Sequence, residues 1–101
     1  MCNSDIEIIK GDTLPISIIV DEGIELIEEI YFTSSSLGIN RKANYIEENI
    51  YQLIISSEET QEFKERFATY DITAILKNTH IKTTIYNGYI YIYEKENNLY
   101  D

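Results

Sequence analysis

Apolar and polar residues alternate with a period of two along most of this chain, the spacing of a strand that buries one face. Ile6–Glu7–Ile8–Ile9 reads as a first short strand, closed by Lys10–Gly11–Asp12–Thr13. Leu14–Pro15 leads into Ile16–Ser17–Ile18–Ile19–Val20, with Ile16, Ile18 and Val20 on one face. Proline at a strand's first residue is tolerated, because the missing amide donor falls where the ladder begins. After the turn signal Asp21–Glu22–Gly23, a strand from Glu28 to Ser35 points Ile30 and Phe32 inward and Glu29, Tyr31 and Thr33 outward. Ser34–Ser35–Ser36–Leu37–Gly38 turns the chain into a strand from Ile39 to Ala43 that carries Arg41 and Lys42 outward. Glu47–Glu48–Asn49 turns it again. Ile50 to Ile55 is apolar almost throughout, as in a strand buried on both faces or one flanked by a helix.

One helix interrupts the pattern, predicted from Glu58 to Arg66. Ser56 and Glu59 have the spacing of a capping box, with Ser57 as an alternative cap. Glu58, Glu59 and Glu62 suit the positive end of a helix dipole and Lys64 and Arg66 the negative end, while Phe63 and Phe67 make a narrow apolar stripe. Beyond it, a strand from Ala68 to Lys77 places Tyr70, Ile72 and Ala74 on one face and Asp71, Thr73 and Ile75 on the other. Asn78–Thr79–His80 turns the chain, and Ile81 to Tyr86 returns. Asn87–Gly88 leaves two readings open: a type I′ hairpin turn, or a glycine bulge inside one strand running to Tyr93. The segment from Glu94 to Asp101, charged and asparagine-rich, is expected to be poorly ordered, with the domain core spanning residues 6–94. About seven or eight short strands with one connecting helix describe a single antiparallel β-sandwich over residues 1–101. Ile18, Ile30, Phe32, Leu53, Ile55, Phe63, Tyr70, Ile72 and Ile85 are the expected core.

Composition strengthens the β assignment. Among 101 residues there are twenty isoleucines against one valine, with nine tyrosines and few glycines or prolines to break strands. Charge narrows the partners. The net charge of −10 repels a phosphate backbone and an anionic membrane, so neither nucleic acid nor membrane is an expected partner. Met1–Cys2–Asn3–Ser4–Asp5 has no basic stretch of a secretion signal, and no apolar run approaches the ~18 residues of a membrane span. With a single cysteine no intrachain disulfide forms, and synthesis in a reducing cytoplasm is expected.

Candidate chemistry is sparse. His80 is the only histidine and lies in a predicted turn; spacing does not bring it to Cys2, or to a serine and Asp71, as nucleophilic catalysis requires. One cysteine and one histidine cannot supply a four-ligand zinc site. Asp21, Glu22 and Glu25 could gather at one turn, but no calcium loop surrounds them, and Gly11, Gly23, Gly38 and Gly88 form no phosphate cradle. The neighbouring acids Glu28–Glu29 and Glu47–Glu48 fall on opposite faces of a strand. No catalytic group, cofactor, metal or small-molecule substrate is therefore expected. The distinctive local feature is Tyr89–Ile90–Tyr91–Ile92–Tyr93, which puts Tyr89, Tyr91 and Tyr93 on one face and Ile90 and Ile92 on the other. Such a row is either a cross-strand ladder within the chain or a protein-binding surface rimmed by Glu94, Lys95 and Glu96.

The order of signals also carries a resemblance. Lys10–Gly11–Asp12–Thr13–Leu14–Pro15 enters an alternating strand; Ser57–Glu58–Glu59–Thr60 opens a short helix; Phe67–Ala68–Thr69–Tyr70–Asp71–Ile72 begins a strand. Ile81–Lys82–Thr83–Thr84–Ile85 and Gly88–Tyr89–Ile90–Tyr91–Ile92 close the domain. This resembles the immunoglobulin-like β-sandwich modules of tailed bacteriophage virions, in particular the N-terminal domain of baseplate upper proteins. The resemblance implies an all-β, immunoglobulin-like fold with a bulge at Gly88. It also implies a non-enzymatic structural protein of a tail, baseplate, neck or capsid, whose partners are other virion proteins and copies of itself. The alternative suggested by charge is a small acidic inhibitor that mimics DNA to block a nucleic-acid-binding protein of the host.

Overall fold

The computed structural model describes residues 2–21 and 23–94, so the expected disorder of 95–101 lies outside the described residues. Among these residues nine strands, β1 (Cys2–Asn3), β2 (Ile6–Ile9), β3 (Leu14–Ile19), β4 (Ile27–Ser34), β5 (Ile39–Lys42), β6 (Asn44–Glu47), β7 (Ile50–Ile55), β8 (Phe67–Leu76) and β9 (Lys82–Tyr93), form two sheets. The larger has the order β1–β9–β8–β4–β5, with β2 also on β9; the smaller is β3–β7–β6. A 3-10 turn at Ile24–Leu26 precedes β4, and the helix α1 (Ser57–Gln61) joins β7 to β8. The inner faces meet in one core. Ile30, Phe32, Ile72 and Ile90 come from the large sheet and Ile18, Tyr51, Leu53 and Ile55 from the small one, with Phe63 after the helix. Phe32 stacks on Tyr70 with ring centroids 5.2 Å apart.

Period-two alternation is realised strand by strand, and the departures have local causes. β1 pairs Cys2 with Tyr86, and β2 pairs Ile6 with Ile90, both parallel to β9 in a fold otherwise antiparallel. Ser4 bridges the two short strands. Its amide donates to the Asn87 carbonyl at 3.1 Å, and its own carbonyl accepts from the Tyr70 hydroxyl. β7 is buried on one face only, since Ile54 is exposed on the outside of the three-stranded sheet. The strand β6 follows directly on Ala43 and was not expected; every one of its residues is exposed, so it has no hydrophobic alternation to betray it. Ile85 is only partly buried rather than a core residue.

The helix is half as long as its charge pattern suggests. Ser56 is the cap: its hydroxyl accepts from the Glu59 amide and the Glu59 carboxylate accepts from the Ser56 amide, a complete capping box. The chain leaves the helix at Glu62, so Phe63 turns into the core while Phe67 begins β8 on the opposite, outer side. Strand alternation from Phe67 onward thus overrides the helical stripe. Thr60 is fully buried and ties the helix to the β2–β3 turn: its hydroxyl donates to the Asp12 carbonyl at 2.8 Å and accepts from the Gly11 amide at 3.0 Å. Gly11 has φ +89°, where a side chain is disfavoured.

Asn87–Gly88 is neither a hairpin nor the bulge. β9 runs unbroken, and the register slips instead between Ile72–Tyr86 and Thr73–Thr84, leaving Ile85 as the extra residue. Gly88 pairs with Tyr70 and lies beneath the crossing N-terminal chain; a Cβ there would sit 2.1 Å from the Ser4 oxygen. Close approach of two backbones, not a turn conformation, is what requires glycine.

Candidate protein interface

Among the described residues, His80 and Asp71 lie apart on the surface. His80 sits exposed in the β8–β9 turn with its Nδ1 3.7 Å from a Glu28 carboxylate oxygen, and Asp71 faces outward opposite Asn87. Among the described residues, no three His, Cys, Asp or Glu side chains converge as metal ligands. Carboxylates occur on the outer large sheet (Glu7), the edge strand β6 (Glu47) and the helix (Glu58), while Glu29 pairs with Lys42 at 3.0 Å. Glu59 is held by two contacts from Arg41, which also donates to the Ile54 carbonyl at 2.7 Å. Hydrogen bonding from Arg41, then from the Ser56 amide, holds the Glu59 carboxyl down at about 2. This arrangement clamps the helix to β5 and β7, a structural use of charge.

The tyrosine row is the feature that the fold turns into a surface. Because β9 continues through Gly88, Tyr89, Tyr91 and Tyr93 all point out of the large sheet while Ile90 and Ile92 point in. The neighbouring strands add to it. Phe67 of β8 pairs with Tyr91, and Ile9 of β2 pairs with Tyr93. Phe67 lies 5.1 Å from the Tyr89 ring and 5.6 Å from the Tyr91 ring, and Tyr89 lies 6.5 Å from Tyr91. The rings therefore do form an intrachain cluster, but not a covered one: Phe67 is 50% exposed, Tyr89 48%, Tyr93 49% and Ile9 44%. Three half-exposed rings leave roughly 300 Å² of surface open, within the range of the largest apolar patch on an ordinary monomer, which is often a functional one. At its end the Lys10 ammonium pairs with Glu94 at 3.4 Å. Lys95 and Glu96, the rest of the expected rim, lie outside the described residues.

Phe67 and Ile9 were not anticipated as members of this surface. Phe67 reads from spacing as the partner of Phe63 in the helical stripe, although its even spacing from Thr69 and Asp71 places it on the outward face of the following strand. Ile9 could not be placed, because nothing local in Ile6–Ile9 specifies pairing with the last strand.

Neither a family model nor a curated protein matches the chain by sequence. Its structure, in contrast, is similar to many solved ones. An endo-beta-1,4-mannanase from Thermotoga petrophila matches with a TM-score of 0.65 at 12% identity; the match covers 91% of this chain but only 18% of the mannanase. The immunoglobulin-like domain of mouse leukocyte-associated immunoglobulin-like receptor 1, solved as a strand-swapped dimer, matches with a TM-score of 0.61 at 10% identity, covering 89% of this chain and 88% of that one. The M1 domain from titin matches at 0.53 and 11%, covering 93% and 91%. The fold is an immunoglobulin-like β-sandwich. At these identities the likeness establishes architecture alone. In antibody domains an inter-sheet disulfide packs on a buried tryptophan. This chain has one cysteine and no tryptophan, and the buried Ile18, Phe32 and Ile72 fill its core instead.

Proposed function

We infer that this chain is a non-enzymatic structural module of a tailed-bacteriophage virion, an assembly or adaptor part of a tail, baseplate, neck or capsid. Synthesis takes place in the cytoplasm of the host bacterium. The observation that carries the reading is the open aromatic face of Phe67, Tyr89, Tyr91 and Tyr93, a surface with contact area and no chemistry. Tyrosine suits such a surface, because it offers a large amphipathic area at small entropic cost. The resemblance of the sequence to virion modules supports it from another side. Gly11–Asp12 and Thr60, from two separate motifs, are hydrogen-bonded to one another. The partners are neighbouring virion proteins and further copies of the chain, in the symmetric arrangements that particles impose.

Mass spectrometry of purified particles tests the assignment, and absence of the chain from them overturns it. The surface is tested by replacing Tyr91 and Tyr93 with Ser. Incorporation into particles should fall about tenfold or more while the melting temperature drops by only a few degrees. A clear loss of stability with incorporation intact would mean that the rings serve only as an internal ladder.

A further inference from the structure

The edge of β3 is the second uncovered feature, and it is built differently. Among the described residues β3 pairs with β7 alone and forms one edge of the small sheet. Even-numbered residues supply its ladder, since Val20 at the end of that series donates to the Asn49 carbonyl at 2.9 Å. The backbone groups of Pro15, Ser17 and Ile19 therefore point away from β7. The Tyr86 hydroxyl confirms the direction: it reaches the Ile19 carbonyl from the other side at 2.7 Å. Beside this edge a cavity of about 200 Å³ opens between the sheets, lined by Ile6, Ile16, Ile18, Tyr70, Ile72 and Tyr86. The edge strands β5, β6 and β2 carry charge, with Arg41 and Lys42 on β5, Glu47 on β6 and Glu7 on β2. Leu14–Ile19 carries none, although charge is the usual guard of an exposed edge.

The geometry points to a second copy of this chain as the strand that pairs here, β3 against β3 about a two-fold axis at Ser17. Antiparallel pairing centred on Ser17 makes each Ser17 amide donate to the other copy's Ser17 carbonyl. Each Ile19 amide then donates to the other copy's Pro15 carbonyl. The return bond, from Pro15 to Ile19, cannot form because proline has no N–H. The acceptor that this would strand is the Ile19 carbonyl, the one already taken by Tyr86. The edge is thus complementary to itself, hydrogen bond for hydrogen bond. On the outer face Ile19 meets the second copy's Pro15; on the inner face Ile16 meets its Ile18 and closes the mouth of the cavity. The two small sheets become one continuous six-stranded sheet.

A six-residue edge buries little area, so the dimer is weak in solution and is reinforced where particle symmetry adds contacts. Sedimentation of the full chain up to about 1 mM should show a monomer–dimer equilibrium. Ser17 is exposed, so Ser17→Lys and Ser17→Glu leave the fold intact and place like charges face to face across the axis. Each variant alone should dimerise at least about tenfold more weakly, and an equimolar mixture of the two should recover the association as a heterodimer. A chain that stays monomeric to about 1 mM overturns the proposal. So does a dimer that tolerates Ser17→Lys but is lost on Tyr91→Ser, which would place the contact on the tyrosine face.

Discussion

The two faces of β9 are made from the same strand and obey opposite rules. Inward, Ile90 and Ile92 are 0% and 5% exposed, locked among the side chains of both sheets. Outward, Tyr89 and Tyr93 are about half exposed, and the Tyr89 ring packs on Phe67 of the same sheet. The inner face is dictated by packing, for any change of volume there is felt by the residues around it. The outer face contributes ring–ring contacts along one sheet and little else to the fold. Covering roughly 300 Å² at about 25 cal/mol per Å² offers ~7 kcal/mol. That only matches the ~4–15 kcal/mol that association costs. A face of this size does not hold a permanent pair by itself, but it suits a module repeated in an array, where each contact lowers the cost of the next.

Phenylalanine occurs on both sides of the large sheet, and this gives the sharpest way to break the comparison. Phe32 is fully buried and stacked on Tyr70, whereas Phe67 is half exposed. Phe32→Ala should cost about 3–5 kcal/mol in urea unfolding, the transfer of the ring plus the cavity it leaves. Phe67→Ala should cost about 1 kcal/mol, most of it lost ring–ring contact. Equal losses would mean that the outer cluster belongs to the fold's own stability, and the distinction between the faces would fall.

Much of this division was legible in the chain itself. The inward set Ile30, Phe32, Tyr70 and Ile72, the outward tyrosines and the Ser56–Glu59 capping box all follow from spacing, because period and cap chemistry are local properties. Partner choice is not local. That β1 and β2 lie parallel along β9 has no signature in Cys2–Ile9, and an exposed strand such as β6 shows no period at all. Asn87–Gly88 misleads for a related reason. Its turn chemistry is genuine, but the feature that selects glycine there is Ser4, distant in sequence and near only once the fold has formed.

Gly88 tests that account and is the next largest effect. In Gly88→Ala the new methyl carbon would meet the Ser4 oxygen at 2.1 Å and the Ser4 carbonyl carbon at 2.9 Å. Both obstacles are backbone, so β1 and β2 must move off β9, loosening the Ser4 amide bond to Asn87 and the Tyr70 contact. A loss of about 2–3 kcal/mol is expected. Hydrogen exchange at Ile6–Ile9 should quicken far more than at β4 or β7, because the damage is to the pairing of one edge. Uniform acceleration throughout the sandwich would instead point to a glycine needed for the conformation of β9 itself.

The smallest effect concerns a polar residue on the inner face. Ser34 follows Ile30 and Phe32 in the inward series of β4 and is 1% exposed, and its hydroxyl has no hydrogen-bond partner among the described residues. A buried hydroxyl without a partner loses its hydration and gains nothing in return, a penalty of about 1–3 kcal/mol. Removing one oxygen opens a void smaller than a methyl group, with a cost that offsets only part of that gain. Ser34→Ala should therefore stabilise the domain by about 1 kcal/mol, seen as a rise in melting temperature of roughly 4–8 °C. A fall of similar size would show that the hydroxyl is bonded in solution. The inner face at the β4–β5 corner would then be held by a polar contact, and the rule that separates the two faces would stop at Phe32.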